Sequence, residues 1–373
     1  MSLLLGQTPK LCLRKPVFVR ASPPLCPNGS SSSLLQTPPC SIIGADPCGP
    51  ALGKLVIRYA NECHFTHLEK KVPMDLVYND TTEAMVTIGS SHGWVATLKK
   101  GTLRLQDDLN PAASDSDPKR ISLPPLVTLP HCQTQIVTNV AMSSPCPWEE
   151  DCVVAAKFLG HQLSFCRPGQ PNSQWINVRI ENPCFFSSQV MFSKKHDMFR
   201  MPGSGGHLIG SWDLRKHKHT PKLQELRYQN LPELTKTKRE LLNSCSTSEH
   251  LVESQPTGET FLLKRFKKTT EIIDGIAKMK TKALMVFKLD EEGNAVYTED
   301  IGDLTIFLSK SEPFCVPASS FPGVVSNYVH IFDFAEVGDV SLAKCHSDCT
   351  GGAGPFRYGF DAPYYIPPQD IQH

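Results

Sequence analysis

Along most of the chain apolar side chains fall at alternate positions in short runs, and each run stops at Gly, Pro, Asn or Asp. "KLVIRY" (Lys54 to Tyr59), "EAMVTIG", "GWVATL" and "GTLRLQ" follow one another early. "DCVVAAKFLG", "QLSFCRPG", "WINVRI", "CFFSSQVMFS", "DMFRMPG" and "HLIGSWDL" occupy the middle, and "KALMVFKL", "NAVYTE", "LTIFL", "YVHIFDF" and "VSLAK" lie late. A period of two in β-branched and aromatic residues predicts half-buried strands. Within "LTIFL", Leu304, Ile306 and Leu308 share one face of such a strand. Gly293 and Asn294 tolerate the positive φ of a tight turn after "DEE". Only "LPELTKTKRELLNS" predicts a helix, with Pro232 near its start and Leu231, Leu234 and Leu241 at helical spacing. The stretches Asn110 to Arg120 and Lys267 to Lys282 read as exposed loops.

These runs recur in groups of three or four at a period of about forty to fifty residues. A small antiparallel sheet of that size has a face only a neighbouring sheet can cover, so the units stack around an axis. The expectation is an all-β fold, a single β-propeller over residues 51–373. About fifty residues per unit gives about six or seven blades, with the helix as a short insertion. The closing "APYYIPP" is expected to pair or pack near an early strand such as "KLVIRY" and so close the ring.

Composition changes this picture mainly at the front. The chain has 373 residues and a formal net charge of +1, so no global attraction to nucleic acid is implied. Pro at 31 and Gly at 24 suit many turns between short strands. No apolar run is long enough for a membrane span. The fourteen cysteines show no disulfide framework and read as reduced thiols. Asp46 is the first acid in the chain, whereas Lys10, Arg14, Lys15 and Arg20 precede it among many Ser and Pro. A basic, acid-poor, Ser-rich leader is the composition of an organellar transit peptide, here assigned with its linker to residues 1–50 and taken as disordered. "LCLRKPVFVRAS" leans towards the mitochondrion; the Ser and Pro that follow also suit a chloroplast.

Candidate chemistry is thin. "GSSHG" (Gly89 to Gly93) matches the Gly-x-Ser-x-Gly pattern around Ser91, but a nucleophile elbow needs a helix after it and a strand follows. The reading is a β-turn with Trp94 buried beside it. Cys315 stands among Phe314, Val316 and Phe321, apolar neighbours that favour the neutral thiol. It reads as a small buried residue before a turn capped by Ser319 or Ser320 and stopped by Pro322 and Gly323, with His330 the nearest following histidine. "CHFTH" (Cys63, His64, His67) and "CHSDC" (Cys345, His346, Cys349) lack the spacing of paired zinc ligands. "GSGG" and "GGAG" lack the Lys-Ser/Thr of a phosphate loop. No catalytic residue, metal or cofactor is assigned. The one candidate binding patch is basic: Lys264, Arg265, Lys267 and Lys268, ahead of Lys278, Lys280 and Lys282, with "RKHKH" (Arg215 to His219) elsewhere. Such a patch suits RNA electrostatically, but beside it only Phe266 could stack on a base, and Glu271 and Asp274 dilute the charge.

Several stretches together resemble one plant family, named for domain of unknown function 295 and also called the KIB-type β-propeller family. They are "GSSHGWVATL" with Gly93 and Trp94, "LPELTKTKRELLNSC", "HLVES" with "GETFLLKRF", residues Thr281 to Gly323, and the closing "APYYIPPQ". The likeness is greatest to the organellar branch. Many relatives carry an F-box and look like substrate receptors of ubiquitin ligases; no F-box pattern precedes "KLVIRY" here. The resemblance implies a propeller and supplies no activity. The expectation is a non-enzymatic scaffold in the mitochondrial matrix that binds a protein partner through loops on one face, with RNA association through the basic loops as the alternative.

Overall fold

A computed structural model describes residues 36–78, 86–130, 135–214, 220–273, 276–344 and 360–370. Their strands form six sheets, five of four strands and one of five. Blade I holds Cys40–Pro47, Leu52–Tyr59 and Thr66–Pro73, with Tyr365–Ile366 added at one edge. Blade II runs through Val86–Ser91, Trp94–Lys99, Thr102–Gln106 and Arg120–Pro125. Blade III is Val137–Met142, Val154–Phe158, Gln162–Cys166 and Ile176–Arg179. Blade IV is Met191–Ser193, Met198–Pro202, Leu208–Trp212 and Lys222–Glu225. Blade V comprises Ser246–Glu253, Thr260–Ile273, Ile276–Leu289 and Asn294–Thr298, with Arg227–Gln229 as a parallel fifth strand. Blade VI is ordered Phe314–Pro317, Leu304–Leu308, Tyr328–Asp333, Glu336–Ser341.

The inner strands of blades II to VI touch in turn: Val86–Ser91 lies against Val137–Met142, which meets Met191–Ser193, which meets Ser246–Glu253, which meets Phe314–Pro317. Ser90 then bridges to Ser311, returning to the start. This is a six-bladed β-propeller, with its inner strands around the axis and its core between the blades. Ile88, Trp94 and Leu105 of blade II pack with Val140, Val154 and Phe158 of blade III. Phe165 of blade III meets Phe199 of blade IV, ring centres 5.2 Å apart. Phe307, Val316 and Phe332 of blade VI join Ile42, Leu55 and Ile57 of blade I. Large apolar faces thus leave water only when neighbours meet, which makes closure of the ring a large part of the hydrophobic stabilisation.

Closure pairs the two ends of the domain. Ser41 and Cys40 are in antiparallel register with Tyr365 and Ile366, and Thr37 N donates to Gln369 O at 2.9 Å. "APYYIPP" therefore pairs one strand earlier than "KLVIRY". This corrects the boundary at residue 50. Cys40–Pro47 is a blade strand, with Cys40 and Ile42 buried in the core, so a disordered leader cannot extend that far.

Two further expectations change. Lys267 to Lys282 is not a loop: Thr260–Ile273 and Ile276–Leu289 pair along their full length as one long hairpin. Its Lys and Thr residues hide the strand from a hydrophobic pattern, yet backbone pairing needs no apolar side chain. The helix is present but shorter, Lys236–Asn243, with the Thr235 side chain accepting from Lys238 N at 3.3 Å. It buries no side chain, consistent with an insertion on the surface.

Candidate functional site

The axis of the ring is occupied by the chain itself. After Leu304–Leu308 the segment Ser309 to Pro313 crosses to the inner strand Phe314–Pro317 and ties four other blades together. Lys310 N donates to Pro363 O at 3.2 Å, and Ser311 Oγ to Tyr365 O at 2.8 Å, beside blade I. Lys310 Nζ donates to Thr87 O at 2.6 Å in blade II. Glu312 accepts from Ser91 Oγ at 2.6 Å and from Phe192 N of blade IV at 2.7 Å. Ser91 Oγ in turn accepts from Met142 N of blade III at 3.1 Å. Burial pushes the Glu312 carboxyl up to about 7, against the downward pull of the Ser91 and Phe192 hydrogen bonds.

Beyond Glu312 a cavity of about 470 Å³ opens on one face of the ring. Phe192, Phe314, Phe321, Pro317 and Pro368 supply much of its wall. Glu253 and Cys315 in its lining are already engaged. Glu253 accepts from the Ser193 hydroxyl, from Lys195 N at 2.9 Å and from Gln255 Nε2 at 3.2 Å. Cys315 donates its thiol to Glu253 O at 3.6 Å, and burial pushes that thiol up to about 12. A protonated, buried thiol is a poor nucleophile. His330 does not serve it: its Nδ1 lies 2.6 Å from Asp339 and its ring stacks on Phe307.

Ser91 sits in a hairpin, not an elbow. His92 and Gly93, at φ 51° and 84°, make the two-residue turn between Val86–Ser91 and Trp94–Lys99. Gly93 also lacks room for a side chain, since a Cβ there would lie 2.7 Å from Asn110 Nδ2. Trp94 is buried and donates to Pro145 O at 2.8 Å. The remaining motif residues seam blade VI to blade I. Phe314 stacks on Phe307 at 5.0 Å, Phe321 is in the shared core, and Pro322 O accepts from Asn61 Nδ2 at 3.1 Å. Gly323, at φ 96°, would place a Cβ 2.9 Å from Asn61 O. The short turn Ala318–Ser320 starts after Pro317 without a side-chain cap, and Ser319 binds Asp303 instead. That corrects the serine cap expected there.

The basic patch is not assembled as one surface. Arg265 is buried, donating to Asp333 at 3.0 Å, Glu336 at 2.7 Å and Thr281 Oγ1 at 2.7 Å. Lys264 points the other way, as strand alternation requires, and lies over the Tyr228 ring at 4.6 Å. Lys267 lines a second cavity of about 330 Å³ with His250, Arg265 and Lys310. There burial first, and then Arg265 and Lys267, push His250 down to about 3, so it is neutral. Only Lys268 is exposed, its Nζ 3.1 Å from Ser244 Oγ. The "RKHKH" cluster lies outside the described residues.

Of the metal candidates, Cys63 is exposed, His64 lies 3.4 Å from Glu62 and His67 lies 2.7 Å from Asp46. Cys345, His346 and Cys349 lie outside the described residues, as does "GGAG". Among the described residues no three His, Cys, Asp or Glu are grouped to hold a metal. Sequence reasoning missed Glu312 and Glu253. The one signal for Glu312 was "KSEP", a charged step between two apolar strands.

The KIB1-4 beta-propeller family matches residues 63–356 of this chain. The chain belongs to that family. No curated protein matches it. Among solved structures it is similar to the β-propeller domain of Cps50 (Swd1) from Myceliophteria thermophila, at 10% identity and a TM-score of 0.37, covering 86% of this chain and 91% of that one. It is also similar to the N-terminal domain of Nup159, at 10% identity and a TM-score of 0.31, covering 70% of this chain and 66% of that one.

Proposed function

We propose that this KIB1-4 propeller is a non-enzymatic scaffold that seats a protein partner over the axial cavity. The observation that carries the reading is the division of labour in that cavity. Ser91, Glu253, Glu312 and Cys315 are each hydrogen-bonded within the ring, and the other polar groups of the lining, Ser90 with its unpartnered hydroxyl and His92, which burial favours as the neutral imidazole, have no third group beside them that completes a triad. What faces the opening is Phe and Pro surface, the kind of concave apolar site that takes an aromatic or aliphatic anchor from an extended segment. A rigid ring holds such a site open at little entropic cost on binding.

The test uses the full chain with a photo-crosslinker at exposed Ser320 on the cavity rim. One stoichiometric protein is expected, lost in the Gln255→Arg/Ser320→Arg double variant while the unfolding midpoint is unchanged. A partner that survives this variant, or turnover lost on Ser91→Ala in a folded protein, overturns the reading.

The acid-free composition of residues 1 to 45 supports an organellar address, the mitochondrion first and the chloroplast second. The segment available as an import tag ends before Cys40, where blade I begins. A fluorescent fusion checks this, and a cytosolic signal rules it out.

A further inference from the structure

The second cavity, of about 330 Å³, lies on the other side of the axial crossing. The segment Ser309 to Pro313 borders both: Lys310 lines this cavity, whereas Glu312 lines the axial one. Along the inner strand of blade V, His250 lines this cavity and Glu253 the other. The axis therefore has two unlike mouths, one walled by Phe and Pro and one mainly by polar side chains.

In this polar mouth the acceptors are occupied. Asp333 accepts from Arg265 at 3.0 Å through one oxygen and from Phe334 N at 2.9 Å through the other. Glu249 accepts from Gly205 N at 3.0 Å. Gln189 Oε1 lies 3.1 Å from His250 Nδ1, so that nitrogen carries the proton, and Nε2 of the neutral ring accepts from Ser248 Oγ at 3.1 Å. Two donors are not occupied. Among the described residues the Lys267 ammonium makes no hydrogen bond and no ion pair, and the Gln189 amide nitrogen has no acceptor. Burial first, and then repulsion from Arg265, pull the Lys267 amine down, against the attraction of Asp333 and Glu336. A partly buried cation without a partner is short of an anion. The surrounding charges limit what that anion can carry. Arg265, Lys267 and Lys310 are matched in number by Asp333, Glu336 and Asp361, which bind Arg265 and Lys310. One added negative charge can lie against Lys267, whereas a dianion would bring its second charge towards Asp333. The rim is apolar, with Phe334 47% exposed.

We propose that this cavity binds a small organic acid carrying a single carboxylate. The carboxylate accepts from Lys267 Nζ and from the Gln189 amide, a pair of donors that holds it by charge and by direction. The apolar body of the acid lies against Phe334 at the rim. A volume of about 330 Å³ stands at the small end of the range for ligand sites and suits a compact molecule.

The experiment is fluorine NMR of para-fluorophenylacetate titrated with the full chain, with para-fluorophenylacetamide as the uncharged control. Saturable line broadening is expected for the acid and not for the amide. Lys267→Gln should weaken binding of the acid about tenfold or more, as loss of a hydrogen bond to a charged group does. Phe334→Ser should weaken it about threefold through lost apolar contact. The unfolding midpoint is the folding control for both variants. Gln255→Arg/Ser320→Arg, at the opposite mouth, should leave binding unchanged, so this site is tested apart from the partner over the axial cavity. No saturable binding of the acid, equal binding of the amide, or binding that survives Lys267→Gln in a folded protein overturns the proposal. Displacement of the acid by an equal concentration of inorganic phosphate also overturns it, in favour of a phosphate site.

Discussion

Glu312→Gln is the sharpest perturbation of the axial post. The carboxyl is raised from its ordinary 4.5 to about 7 because it is held among blades with little water. A group that holds its proton more tightly when folded favours folding most while protonated. Its contribution is full below about pH 4.5, declines as pH rises to about 7, and stays low above that. A rise of this size corresponds to about 3 kcal/mol. Water in the adjoining cavity screens the charge, so about 1–3 kcal/mol is the expected effect. Glutamine has the shape of the protonated acid: its oxygen can accept from Phe192 N, and the Ser91 hydroxyl, which donates to the carboxylate, can turn to accept from its amide. Urea unfolding of both proteins from about pH 5 to about pH 8.5 reads the difference directly. The two should match at the acid end, and the variant should become the more stable as pH rises. Parallel profiles, or a variant weaker throughout by the same amount, would refute a raised carboxyl at the axis.

Arg265→Met should cost about 3–5 kcal/mol in urea unfolding, because Asp333 and Glu336 lose a buried counter-charge; an unchanged midpoint with lost ligand binding would return Arg265 to a binding surface. Removing residues 1–35 should leave the unfolding midpoint unchanged, whereas removing 1–50 deletes the strand Cys40–Pro47 and its pairing with Tyr365–Ile366 and should give insoluble or uncooperative protein. Among the described cysteines, iodoacetamide at about pH 8 should modify exposed Cys48 and Cys63 first, with Cys40 and Cys315, both buried and both pushed up to about 12, protected until the protein unfolds, as read by mass spectrometry.

The amino-acid pattern by itself determined the local units. Alternation marked most strands, His92-Gly93 and Gly293-Asn294 marked turns, and Pro232 with the following helix formers marked the helix. The period of the strand groups carried the step to a propeller, since each sheet exposed a face that only another could cover. Three things were settled only in the folded ring. Which strand closes it is a pairing between Ser41 and Tyr365, and nothing local in "CSIIGADP" distinguishes that strand from leader. Which cations are free depends on alternation and on neighbours from another blade: Arg265 and Lys268 are three residues apart, yet one is locked to Glu336 and the other meets solvent. Glu312 acquires its character from burial among blades distant in sequence, its partner Ser91 lying 221 residues away. Strand period and turn chemistry act over a few residues and can be read from them. Desolvation and charge pairing depend on what the closed ring brings within a few ångströms, and no short window of sequence contains that neighbour.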